Sequence, residues 1–172
     1  LTLIDIMGDL GISKLRLTGG EPFVRSNLMF FLTELRKRDF LKKISITSNL
    51  TLIEPHLEEL MQLGIKDVNV SLDAVDRHKF LEITKRDEYE TVISTFHKMI
   101  EKGFVIKLNC VVMKGTNEDQ ILPMLELARE HPLSVRFLEE MPFNGLGEAK
   151  TEVLNYNQIL ELISQHHNYS PL

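Results

Sequence analysis

Five short apolar runs recur along the chain, several with polar residues at alternate positions. They are KLRLT (Lys14–Thr18), KISIT (Lys43–Thr47), DVNVSLD (Asp67–Asp73), VIKLNCVVM (Val105–Met113) and SVRFLE (Ser134–Glu139). Enrichment in Val, Ile, Leu and Phe over so few residues predicts buried β-strands. Between them the apolar period lengthens to that of a helix. Leu57, Leu60 and Met61 share a face that closes at Gly64, and Val92, Phe96, Met99 and Ile100 share one that closes at Gly103. Ile121, Leu125 and Ala128 follow a cap at Asn117, and Pro123 predicts a late or irregular start there. A last helix is predicted from about Asn155 to His166, with Ile159, Leu162 and Ile163 inward.

Strand starts recur every 24–38 residues with helices between them. That alternation implies parallel strands joined by right-handed crossovers, an α/β fold. A closed barrel of this kind needs eight units. About five strands therefore predict a partial, open TIM-type barrel with outer helices, or a doubly wound sheet missing pieces. No composition break or low-complexity linker divides residues 1–172, so one domain is expected.

Composition narrows the partners. Hydrophobic residues make up 43 % and charged residues 26 %, as in a soluble globular protein. A net charge of −5 argues against nucleic acid or an anionic membrane as the main partner. No apolar run approaches the roughly 20 residues of a membrane span. The one cysteine, Cys110, can neither close an internal disulfide nor hold a thiolate metal site alone, which fits a reducing cytoplasm. The chain opens at Leu1 and not at methionine, and it is expected to be a piece of a longer protein.

Ligands of parallel α/β folds bind at the carboxyl ends of the strands. Here those ends read Thr18-Gly19-Gly20-Glu21, Thr47-Ser48-Asn49, Ser71 and Asp73, and Glu139-Glu140-Met141, and the fourth strand carries Lys107 and Asn109. Five polar exits on one edge predict a ligand site. Lys14, Arg16 and Lys107 alternate with apolar residues on strands whose faces should be covered. Interior cations need an anion, either a triphosphate or carboxylates such as Asp73 and Glu139. Gly19 and Gly20 let a ligand touch bare backbone, Glu21 suits a ligand ammonium, and Ser26 or Asn27 can cap the next helix. The His166-His167 pair reads as a helix end suited to positive charge rather than a metal site.

The motifs KLRLTGGEPFVR, ITSN, VNVSLDAVDRHKF, KLNCVVMKGTNEDQI and VRFLEEMPF, in that order, resemble the radical S-adenosylmethionine (SAM) superfamily. More closely, they resemble its molybdenum-cofactor biosynthesis protein A family, the GTP 3′,8-cyclases. The resemblance implies that Gly20 holds the methionine part of SAM through its backbone, beside Gly19 and Glu21, and that Ser71 and Met141 complete the pocket. It implies GTP contacts at Arg16, Thr47 and Lys107, with Lys14 assisting. In the family a reduced 4Fe-4S cluster cleaves SAM to a 5′-deoxyadenosyl radical. That radical takes hydrogen from the GTP ribose, which then closes on the guanine to give the cyclic pyranopterin precursor, a lyase reaction. A reductant protein for the cluster is implied as partner, and the apolar edges of an incomplete barrel leave room for a homodimer.

This chain departs from the family pattern. The CxxxCxxC loop for the SAM cluster and the C-terminal cysteines of a second cluster are both absent. No residue is therefore assigned a catalytic or metal-ligating role, and the chain alone is expected to be inactive, truncated at both ends relative to the family. Leu50 stands where the family usually has glycine, and Glu140 where it has an aromatic. A positive φ would cost Leu50 about 1–2 kcal/mol, so the loop there should differ or not need that freedom. Two alternatives stay open: another radical SAM enzyme, such as a peptide-modifying maturase, and a non-catalytic nucleotide-binding domain.

Overall fold

The structure is a computed structural model of the chain, and it describes residues 1–141 and 154–170. All five strands form: β1 (Lys14–Leu17), β2 (Lys43–Ser48), β3 (Asp67–Ser71), β4 (Val105–Val112) and β5 (Ser134–Glu139). They make a parallel, open sheet in the order β1-β2-β3-β4-β5. Strand order follows chain order without a reversal. A doubly wound sheet reverses at a switch point, whereas a barrel wall does not. The partial-barrel expectation is therefore the one the topology bears out.

Seven helices are described: α1 (Thr2–Asp9), α2 (Leu28–Arg36), α3 (Leu57–Gln62), α4 (Arg77–Thr84), α5 (Tyr89–Glu101), α6 (Ile121–Glu130) and α7 (Tyr156–Ser164). Gly64 and Gly103 end α3 and α5 with positive φ, as the pattern predicted. A 3-10 turn over Glu118–Gln120 precedes α6 and leaves Pro123 in its first turn, where the missing N–H costs nothing. Asn155 closes a capping box with Gln158 on α7. The caps at Asn27 and Asn117 are different. Both occupy the N-cap position, but neither side chain bonds its helix. Asn27 accepts from Arg25 Nε at 2.7 Å instead. His166 and His167 lie just past α7, with His167 Nε2 3.4 Å from Glu126 of α6.

The chain divides into two compact units. The first comprises Leu1–Ser71 and Asp87–Leu108, the second Leu72–Arg86 and Asn109–Leu172. In the first, the core is one face of the strands (Ile44, Ile46, Val68, Val70, Ile106, Leu108) and the inward stripes of α2, α3 and α5 (Leu32, Leu35, Leu60, Phe96, Met99). The opposite strand face is polar: Lys14, Arg16, Lys43, Ser45, Thr47, Asp67, Asn69, Ser71 and Lys107 alternate with the core residues. In the second unit Phe80, Cys110, Val112, Ile121, Met124 and Ile159 are buried.

Candidate functional site

Strand β1 runs into Thr18, Gly19 and Gly20, all exposed. Gly19 has φ +145°, a conformation side chains rarely adopt, and a Cβ added to either glycine would meet nothing within 4 Å. The backbone of this loop is therefore bare on the side a ligand would approach. Its far side is anchored. The Glu21 carboxylate accepts from the Phe23 N–H at 3.2 Å, the Asn49 N–H at 2.8 Å and the Ser48 hydroxyl at 3.1 Å. Pro22 opens a 3-10 turn whose Phe23 stacks on His56, ring centres 5.4 Å apart. The exit of β1 is thus tied to the exit of β2.

Ser48 does a second job. Its hydroxyl accepts the Leu50 N–H at 3.0 Å, and Leu50 takes φ 67°. The expectation that leucine would avoid this conformation is corrected here. Leu50 is fully buried, and burying a leucine side chain contributes about 1.5–3 kcal/mol. That offsets a left-handed cost of about 1–2 kcal/mol.

On the polar sheet face the parallel register sets Arg16 beside Ser45, Ser45 beside Asp67, and Thr47 beside Asn69. Arg16, Lys43, Ser45, Asp67, Asn69 and Lys107 line one narrow cleft of about 20 Å³, together with Val68 and Val105. Lys14 lines a larger, more open recess with Leu15, Arg16, Lys43 and Ser45. Lys43 pairs with Asp67. Lys14, Arg16 and Lys107 have no ion pair among the described residues. The carboxylates considered as their partners are engaged otherwise: Asp73 accepts the Val111 N–H at 2.8 Å, and Glu139 the Tyr156 N–H at 2.7 Å. The cleft therefore brings Arg16 and Lys107 together as uncompensated cations, with Thr47 in the register row beside it. Ser71 is exposed at the end of β3. Met141 belongs to the second unit, just past β5, and is 68 % exposed.

In the second unit a buried polar cluster holds the exit of β4. Asn117 donates to the carbonyls of Asp73 (2.8 Å) and Val111 (2.9 Å) and accepts the Met113 N–H at 2.7 Å. Gln120 accepts the N–H groups of Val75 and Asp76. Burial pushes the Asp73 carboxyl above its ordinary range, against the lowering effect of the Val111 N–H. The Cys110 thiol is fully buried and pushed up to about 12 by burial, with the Asp73 charge adding to the shift. Cluster ligation needs several accessible thiolates. This chain has one cysteine, inert and internal, so its residues do not fit an iron–sulfur cluster. Among the described residues no His, Cys, Asp and Glu group could hold a metal ion. The loop at Gly19–Gly20, by contrast, has the open backbone that SAM would require. Asp67, Asn69 and Gln120 escaped the sequence reading, and Ser48 was read there only as a polar strand exit, because each acquires its role from a strand or loop distant in the chain.

Comparison with known proteins defines the class. Residues 1–128 match the radical SAM superfamily, and the chain belongs to it. Within that superfamily its likeness is to the molybdenum-cofactor biosynthesis protein A family. It is 35 % identical over 169 residues to the GTP 3′,8-cyclase of Staphylococcus haemolyticus strain JCSC1435, covering 97 % of this chain and 50 % of the relative. It is 37 % identical over 166 residues to human molybdenum cofactor biosynthesis protein 1, covering 96 % of this chain and 26 % of the relative. The chain thus spans half or less of the length of these curated relatives. In fold it is similar to Streptococcus suis SuiB, with a TM-score of 0.73 at 20 % identity over 95 % of this chain and 38 % of that one. A radical SAM methyltransferase from Sphaerobacter thermophilus gives a TM-score of 0.67 at 15 % identity over 93 % of this chain and 50 % of that one. No described helix is long and apolar enough to cross a membrane.

Proposed function

We propose that this chain is the SAM- and GTP-binding core of a GTP 3′,8-cyclase, part of a longer protein that makes the cyclic pyranopterin precursor of molybdenum cofactor. The observation that carries the reading is the pair of uncompensated cations, Arg16 and Lys107, lining one cleft on the polar face of the sheet. Radical SAM relatives named for a GTP cyclisation support the choice of anion.

In this reading the bare backbone at Gly19 and Gly20 takes the methionyl end of SAM, with Ser71 and Met141 as further contacts. Glu21 acts through its bonds to Phe23, Ser48 and Asn49, which hold the loop in place and put its charge beside the ammonium of SAM. Arg16 and Lys107, with Lys14 at the rim, bind the GTP phosphates, and Thr47 supplies a hydroxyl. SAM, when bound, supplies the radical chemistry for which the superfamily is named. Its activating cluster has no ligands in this chain, so no step is derived through it. What these residues contribute is binding, orientation and exclusion of water from the reacting carbon. A protein reductant belongs to the same proposal for the whole protein.

The test is GTP affinity of the full-length, cluster-reconstituted protein, by calorimetry. Arg16→Ala and Lys107→Ala should each weaken GTP about tenfold or more, the loss of a charge-assisted contact. Unchanged affinity in both would overturn the GTP reading and favour a peptide-modifying enzyme, which needs neither cation.

A further inference from the structure

Among the described residues the cleft contains one buried polar side chain with no partner. Asn69, at the centre of β3, is 3 % exposed, yet its amide makes no hydrogen bond among the described residues. Buried amides are nearly always bonded, and leaving one unpaired is costly. No fully buried side-chain nitrogen or oxygen lacks a partner among the described residues. The amide atoms of Asn69 must therefore keep part of the little surface the residue has, and the residue lines the cleft.

Its neighbours say what the amide faces. Thr47 stands beside it in the β2–β3 register. The Val105 N–H bond to the Lys66 carbonyl sets β4 in step with β3 so that Lys107 falls level with Asn69. Arg16 lines the same cleft. Lys43 is neutralised by Asp67, which leaves Arg16 and Lys107 as two positive charges around a neutral amide. An aspartate in this place would pair with Lys107 and cancel half of that charge. An asparagine leaves the charge intact and adds N–H donors. We infer that Asn69 is a ligand-binding residue whose amide N–H donates to a non-bridging phosphate oxygen of the polyphosphate held by Arg16 and Lys107. The inference rests on the nucleotide reading above and names a residue that reading did not include.

The test uses the full-length, cluster-reconstituted protein and three probes: GTP, guanosine and SAM, each measured by calorimetry. Asn69→Ala should weaken GTP about tenfold to a hundredfold, as loss of a hydrogen bond to a charged group does. It should leave guanosine and SAM affinities unchanged, which a general loss of structure would not. The isosteric Asn69→Asp should weaken GTP further still, because it adds repulsion and captures Lys107. Equal loss for GTP and guanosine would overturn the inference, since the amide would then read the nucleoside. So would unchanged GTP affinity in both variants. Arg16→Ala and Lys107→Ala run alongside. If they weaken GTP while the Asn69 variants do not, only this inference falls; if none of the four does, the nucleotide reading falls with it.

Discussion

Ser48→Ala is the substitution that most directly tests how the glycine loop is held. Ser48 is 1 % exposed and its hydroxyl ties the exits of β1 and β2: it donates to Glu21 at 3.1 Å and accepts the Leu50 N–H at 3.0 Å. Alanine leaves the Leu50 N–H buried without a partner, a penalty of about 1–3 kcal/mol. It also removes one bond to the Glu21 carboxylate, worth about 1.5–3 kcal/mol at most. That second figure belongs at its low end, because Glu21 is half-buried and keeps its bonds to Phe23 and Asn49. The two losses share one atom and do not simply add. The expected total is about 2–4 kcal/mol, read as a fall in the urea midpoint of the full-length protein with its m-value unchanged. SAM affinity should fall as well, because the loop that Glu21 anchors loses one of its ties, while GTP affinity should change less. A double-mutant cycle with Glu21→Gln should give a coupling of about 1 kcal/mol. A Ser48→Ala protein within about 0.5 kcal/mol of wild type, the range of ordinary surface substitutions, would refute the brace.

Three further outcomes are expected. Asp73 is held above its ordinary range by burial, so the folded chain prefers its protonated form. Its contribution to stability is present at low pH and is lost as pH rises through the raised value. Asp73→Asn, which keeps an acceptor for Val111, should therefore be the more stable protein at neutral pH, and its urea midpoints should vary less between about pH 4 and pH 8; a wild type that stays ahead throughout would refute this. Asn117→Ala should cost about 3 kcal/mol or more by stranding two carbonyls and an N–H, measured by the same unfolding curves; a loss below about 1 kcal/mol would show the cluster to be dispensable. Cys110 should resist iodoacetamide until the protein is unfolded, as followed by mass spectrometry of its own peptide; labelling of the native protein would contradict its burial.

How much of this was legible depended on distance along the chain. The strands were readable because a two-residue alternation is local, and the glycine stops at Gly64 and Gly103 likewise. Helix α4 carried no such pattern: Arg77–Thr84 buries Phe80 alone, and only Asp76, whose side chain caps Lys79, marks its start. Asn117 had the look of a local cap. Its actual partners, Asp73 and Val111, become neighbours only after β3 and β4 are in place. Glu21 read as a ligand carboxylate because Ser48 and Asn49, 27 and 28 residues away, meet it only through the β1–β2 pairing. Leu50 shows the same limit from the energetic side. Its backbone cost could be written from the sequence, but the burial that offsets it could not.

The polar face of the sheet also explains why a candidate site is here and not on the helix side. Strand residues facing α2, α3 and α5 are apolar and close-packed, as a core requires. Their alternates include Arg16 and Lys107, which gain no ion pair among the described residues. Folding alone does not call for that arrangement: apolar side chains on both faces would serve a covered parallel sheet better. Two cations around one cleft repel one another, and each loses some hydration. The same sheet shows a cheaper solution on its neighbouring strands β2 and β3, where Lys43 is answered by Asp67. The chain places a carboxylate opposite Lys43 yet leaves Lys14, Arg16 and Lys107 without an ion pair among the described residues on the same face, and it is this imbalance on which the proposed anion site rests.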